Sequence, residues 1–307
     1  MSRKSVCLSL VLVVICGAAL VVPASAQHFQ RVTGSLIQVA AGRTEVWGLN
    51  ASHLPYRFNP ATKAFVRAST SSSLTQIAVG GGTPLQSDEV WALNSTGHIF
   101  QFNFSTKAFV NVPGILSQIV VGEGDQDTCH AYEVWGIAPD STAWRYNNCT
   151  PQWEQIQVPN PFTHIATGGG DVWGLDEFAQ IWHYDLERAA WVQITNGGFF
   201  GTLQQITVGV NDVWGLDGND VVYRFDPFTS SFVQMTAGGE FGPLLAQIVA
   251  GGNGVWGLDP SAQIFRFDSS HAFFFQVPGA LAQIAVGYGG GVWGVNSSNQ
   301  VYTFERP

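Results

Sequence analysis

The chain of 307 residues is 46% hydrophobic and only 11% charged, and it carries 35 Gly, 21 Phe and 11 Trp, whereas soluble domains average roughly 25% charged residues. This composition excludes a disordered chain and a helical bundle. Thirteen Lys and Arg face 22 Asp and Glu, a net charge of −9, which excludes the cationic footprint of a nucleic-acid binder and disfavours anionic membrane surfaces.

In chain order, Arg3 and Lys4 are followed by an almost wholly apolar run, Val6 to Val22, and then by Pro23-Ala24-Ser25-Ala26. A positive start, an apolar stretch and small residues at −3 and −1 read as a secretory signal peptide, residues 1–26, cut to leave Gln27. The rival reading is a retained anchor, or a lipoprotein using Cys16. The apolar run is at the bottom of the spanning range, and no later stretch is long and apolar enough to cross a bilayer. Cleavage removes Cys7, Cys16 and two cations but no carboxylate, so the mature chain, residues 27–307, carries −11 and keeps only Cys129 and Cys149. Export favours pairing of these two; two unrelated buried thiols are the alternative.

The mature chain is a repeat. Val-Trp-Gly recurs at Trp47, Trp135, Trp173, Trp214, Trp256 and Trp293, with Val-Trp-Ala at Trp91. Upstream of each lies a Gln-Ile-Ala-Val-Gly-like run, beginning at Gln38, Gln76, Gln118, His164, Gln205, Gln247 and Gln283. Downstream comes an aromatic-polar-aromatic alternation such as Tyr56-Arg57-Phe58, then a fourth aromatic segment centred on Phe65, Phe109, Trp153, Trp191, Phe232 and Phe274. Segments of four to six β-branched and aromatic residues, bounded by Gly, Asn, Asp or Ser, are strands. Four of them about every 40 residues predict an all-β fold of propeller blades. The last repeat lacks a fourth strand, and Phe29-Gln30-Arg31-Val32 at the start matches one. The expected architecture is therefore a single domain of seven four-stranded antiparallel blades, closed by the N-terminal strand beside Val301 to Phe304.

The seven Trp read as structural, each expected to lie over the Gly of a neighbouring blade. An Asn or Asp three residues past the Trp, at Asn50, Asn94, Asp176, Asp217, Asp259 and Asn296, reads as a turn former or as a ligand contact on one rim. The Gln or His opening each first strand would ring one mouth of the channel, as blade-to-blade hydrogen bonds or as binding groups. Two long connections on the Asx rim bring Phe199, Phe200 and Phe241, which either form an aromatic binding surface or plug the channel. In the third repeat Cys129 and Cys149 lie nearly opposite at the open end of a hairpin turning near Asp140, a separation suited to a disulfide.

These motifs resemble the tectonin repeat, over residues 29–304. The resemblance implies a lectin-like or innate-recognition protein that binds surface glycans, although the well-known members have six blades. Aromatic surface beside amides and carboxylates suits sugars, so Asn50, Asn94, Asp176, Asp217, Asp259, Asn296, Phe199, Phe200 and Phe241 are the expected carbohydrate-binding residues. The expected partners are glycans or lipopolysaccharide, and the expected location is secreted, periplasmic or extracellular. A protein-interaction scaffold is the alternative. A glycoside-active enzyme is the third reading, but no His-x-x-x-His or Gly-x-Ser-x-Gly occurs, so no catalytic residue, metal or cofactor is expected.

Overall fold

In a computed structural model of the protein, the described residues are 28–70, 73–82, 87–123, 132–195, 202–237 and 240–305; the expected signal peptide lies outside them. They form β-strands and turns, with no helix among them. Five sheets have four antiparallel strands in chain order, each a meander such as Leu74–Gly80, Glu89–Asn94, His98–Asn103 and Ala108–Ile115. An eight-stranded sheet holds Gln38–Ala41 through Ala64–Arg67 in one half. Its other half holds Gln283–Val286, Val292–Val295 and Gln300–Glu305, with the N-terminal strand His28–Ser35 between the halves. That strand pairs antiparallel with the C-terminal one, Phe29 opposite Phe304 and Val32 opposite Val301. It touches the other half at a single parallel register pair, Thr33 with Ala64. The first strands lie side by side, and Gln38–Ala41 contacts both Leu74–Gly80 and Gln283–Val286.

Alternation along the second strand sets the packing. Trp47 and Leu49 point to one face and Val46 and Gly48 to the other. All seven repeat Trp are buried, and each meets the third- and fourth-strand aromatics of the next sheet edge-on. Trp47 lies 4.5 Å from Phe102 and 5.8 Å from Phe109. Trp293 lies 4.7 Å from Phe58 and 5.8 Å from Phe65. At Trp256 the fourth-strand partner is Phe29, at 5.8 Å beside Phe304 at 4.7 Å, so the N-terminal strand fills the place of a fourth strand in packing as well as in pairing. Burying each indole contributes roughly 2–3 kcal/mol.

The glycine of Val-Trp-Gly does not receive a neighbour's Trp, contrary to the expectation from sequence. A methyl group on Gly48 would lie 2.5 Å from Leu36 Cδ1 and 2.4 Å from the Gln38 carbonyl, both belonging to the segment that enters the same sheet. Leu116 at Gly136, Phe162 at Gly174 and Leu281 at Gly294 repeat the arrangement. The backbone carbonyl cannot swing away, so Gly48→Ala is expected to cost about 1–3 kcal/mol by overpacking. A chemical-denaturation midpoint equal to wild type would refute that packing.

Candidate functional site

The six Asx residues head the turns between second and third strands. In each, one side-chain oxygen accepts two backbone N–H groups, as in an Asx-turn. Asn50 Oδ1 accepts from Ser52 at 3.0 Å and Leu54 at 2.9 Å. The same pair of bonds recurs at Asn94, Asp176, Asp217, Asp259 and Asn296. Asp176 is buried, and its second oxygen accepts from Trp182 Nε1 and Asn160 Nδ2. These turns belong to different four-stranded sheets or, for Asn50 and Asn296, to the two halves of the eight-stranded one. Phe199, Phe200 and Cys129 lie outside the described residues. Phe241 stands in a short strand, Glu240–Phe241, paired with Thr236–Ala237. Cys149 occupies the turn after Ala143–Asn147, where its N–H is accepted by Asn147 Oδ1.

Beneath the Trp layer, the polar residue of each aromatic-polar-aromatic strand faces the Trp across the ladder: Trp47 opposite Arg57, Trp135 opposite Arg145 and Trp214 opposite Arg224. Arg145 lies over the Trp135 ring and Arg266 over Trp256, a cation–π arrangement. Arg57 grips Glu45 with Nε at 2.6 Å and a terminal nitrogen at 2.5 Å. This hydrogen bond raises the Arg57 pKa above its ordinary value. Glu45 also accepts from Trp47 Nε1.

At this place a groove of about 810 Å³ opens between the sheet of Val46–Leu49 and its neighbours. Behind it lie the buried rings of Trp47, Phe102 and Trp293, with Phe58 partly exposed, and its rim holds Arg57, Arg67, Lys107 and Glu45. Arg67 and Lys107 are exposed and have no ion pair among the described residues, in contrast to Arg43, Arg57, Arg145, Arg188 and Arg224. The surrounding charge is skewed. Residues 28–122 carry Arg31, Arg43, Arg57, Lys63, Arg67 and Lys107 against three acids, Glu45, Asp88 and Glu89; the other 19 of the 22 carboxylates follow. The groove is thus a basic sector of an acidic protein. Arg67 and Lys107 stand at repeat positions, two residues past Phe65 and two before Phe109, that the later repeats fill with neutral side chains; the local charge balance, not the repeat pattern, points to the groove.

A second concavity of about 680 Å³ is lined by the first strands. The glutamines opening those strands bond the adjacent sheet, as one of the two sequence readings held. Gln283 Nε2 donates to the Val39 carbonyl and its Oε1 accepts from Val39 N–H, both at 2.9 Å. Beyond the other ends of these strands, Arg43 donates to the Gly82 carbonyl at 2.8 Å and to Glu123 at 2.5 Å, and lies over the Tyr288 ring at 4.5 Å. Burial pushes the Tyr288 phenol up, and its hydrogen bond with Glu123 adds to the shift. Asp88, only 1% exposed, accepts the N–H groups of Arg43, Thr44, Glu45 and Gly82 and the Thr44 hydroxyl. Among the described residues no group of three or more His, Cys, Asp or Glu is placed to hold a metal ion.

The family model described as "Tectonin domain" matches residues 35–238 and 161–306. No curated protein is significantly similar in sequence. Among solved structures, YCF48 bound to D1 peptide superposes with a TM-score of 0.65 at 8% identity over 92% of this chain and 95% of that one. Human WBSCR16 gives 0.64 at 10% over 87% and 86%. Prp20p from Saccharomyces cerevisiae gives 0.62 at 10% over 88% and 82%. At such identities these likenesses speak for the propeller fold alone.

Proposed function

The chain belongs to the tectonin-domain family, and from that premise we propose that it is an exported, closed seven-bladed β-propeller that binds an anionic surface glycan such as lipopolysaccharide, without catalysis. The observation that carries the reading is the groove beside Phe58 whose rim presents Arg67 and Lys107 unpaired. Phe58, the partly exposed aromatic of the lining, and the exposed Val66 offer apolar surface for sugar C–H groups, while cations fix carboxylate or phosphate substituents. The Asx turns contribute less to this reading than sequence suggested, because their oxygens already hold backbone N–H groups. Ring closure is supported by the pairing of His28–Ser35 with Gln300–Glu305 and by the Gln283–Val39 bonds. Export is supported by the pattern of residues 1–26. A Cys129–Cys149 bridge is supported by the disulfide-bonded state of Cys149.

Titration of the mature protein with lipopolysaccharide and a neutral-glycan panel tests the function. The double variant Arg67→Ala/Lys107→Ala is expected to weaken lipopolysaccharide binding at least tenfold, about 1.4 kcal/mol, with unchanged melting. Affinity unaffected by the double variant, or equal for neutral glycans, would move the site elsewhere. A protein-interaction scaffold is the second reading, favoured by Phe228, 98% exposed in the turn after Val222–Asp226, and by the peptide-bound state of the structural neighbour YCF48. A flat glycan panel with one specific captured protein would select it.

A further inference from the structure

The cavity wall breaks its own repeat at one position. Gln38, Gln76, Gln118, Gln205, Gln247 and Gln283 each turn a primary amide onto one residue of the adjacent first strand. Gln76 donates to the Ile119 carbonyl at 2.9 Å and accepts from its N–H at 3.1 Å. Gln118 makes the same pair of bonds with Ile165, and Gln247 with Ile284. Each recipient stands opposite the third residue of the Val-Trp-Gly or Val-Trp-Ala triplet, as Ile119 faces Gly136 and Ile165 faces Gly174. Ile206 faces Gly215 in the same register, so its N–H and C=O also turn away from its own sheet. The residue due to clamp it is His164.

An imidazole cannot take the place of that amide. A primary amide carries an N–H and a C=O side by side, matching the N–H and C=O of one extended residue, whereas the two ring nitrogens of His diverge. Among the described residues no side-chain amide reaches Ile206. His164 Nδ1 lies 3.3 Å from Thr163 Oγ1, and partial desolvation lowers the imidazole pKa below its ordinary value. Gln204, Asp217 and Asp220 line the same side of the cavity.

We propose that the Ile206 backbone, left unclamped where His164 replaces a glutamine, is a receptor for an external primary carboxamide, the side-chain amide of an asparagine or glutamine presented by a peptide. The ligand completes the bond pair that five of the six glutamines make elsewhere, Gln205 making only its accepting half with Ile248 N–H. The acetamido group of an amino sugar does not fit, because a trans secondary amide points its N–H and C=O in opposite directions. The site is separate from the groove and independent of the glycan reading.

The test follows the Ile206 amide signal by NMR in the full mature chain while the blocked tripeptide Gly-Gln-Gly is added. A saturable shift is expected, with N-acetylglucosamine and the blocked Gly-Glu-Gly analogue at least tenfold weaker. His164→Gln installs the seventh clamp and is expected to abolish the response and slow hydrogen exchange at Ile206. His164→Ala keeps the response, and so does the Arg67→Ala/Lys107→Ala variant. No shift in the wild type, an equal response to N-acetylglucosamine, or full binding by a folded His164→Gln protein would overturn the proposal.

Discussion

Deleting residues 28–35 is expected to abolish cooperative folding or to lower the melting temperature by roughly 10–30 °C, at about 2–4 °C per kcal/mol for a chain of this size. The deletion strips six register partners from the C-terminal strand. It also removes Phe29 from its contacts with Trp256 and Phe304, and Val32 from the core. Truncating one buried aromatic costs about 3–5 kcal/mol, and losing a buried valine adds roughly 1.5–3 kcal/mol. The total approaches the 5–15 kcal/mol that holds a typical domain together. The exposed edge of Gln300–Glu305 would also invite pairing with another chain. A synthetic peptide covering residues 27–36, added in trans, should restore the melting transition in proportion to its concentration by strand addition. Melting unchanged by the deletion, followed by circular dichroism and gel filtration, would refute closure through the N-terminus.

Replacing Asp88 by Asn should cost about 3–5 kcal/mol, the penalty for breaking a buried, charge-assisted network. Four backbone N–H groups and one hydroxyl converge on this carboxylate, with Thr44 N at 2.6 Å and Glu45 N at 2.7 Å. All belong to the turn after Gln38–Ala41 or to the Gly82 backbone. An asparagine keeps one acceptor oxygen and turns an NH2 toward backbone N–H groups, which can only donate. A glutamate is no remedy, because Gly42 and Gly82 already press on the carboxylate and leave no room for another methylene. Hydrogen exchange should quicken first at residues 43–45, ahead of the sheets. A melting temperature within about 2 °C of wild type, less than 1 kcal/mol on the scale above, would show that the turn is held by other contacts.

The two variants mark where sequence reading succeeds and where it stops. The strand pattern, the structural Trp and the pairing of the N-terminal segment were legible because a fold built from one module writes each contact several times. The Asx turns were legible for the same reason, and their chemistry is local. The glycine contacts differ from the expectation although Leu36, Leu74, Leu116, Leu203, Leu245 and Leu281 recur two residues before each glutamine, because a recurring residue does not by itself say which glycine its side chain covers. Asp88 and the Arg43–Glu123–Tyr288 contacts occur once, so no periodicity announces them, and their partners come from distant parts of the chain. The groove escaped notice for a related reason: Arg67 and Lys107 gain meaning only when two sheets are set side by side. Six carbohydrate-binding candidates proved to be engaged in their own turns, since an oxygen suited to a sugar hydroxyl is equally suited to a nearby amide.

Arg43 joins the turn after Gln38–Ala41 to Glu123 and Tyr288 across the narrow end of the cavity, where the first strands finish in Gly80, Gly122, Gly168 and Gly251. A separate, smaller space of about 100 Å³ lies there, against about 680 Å³ on the glutamine side. In effect one side chain laces the finishing ends of several first strands together, since Arg43 reaches Gly82, Glu123 and Tyr288, each just past or at the end of a different one.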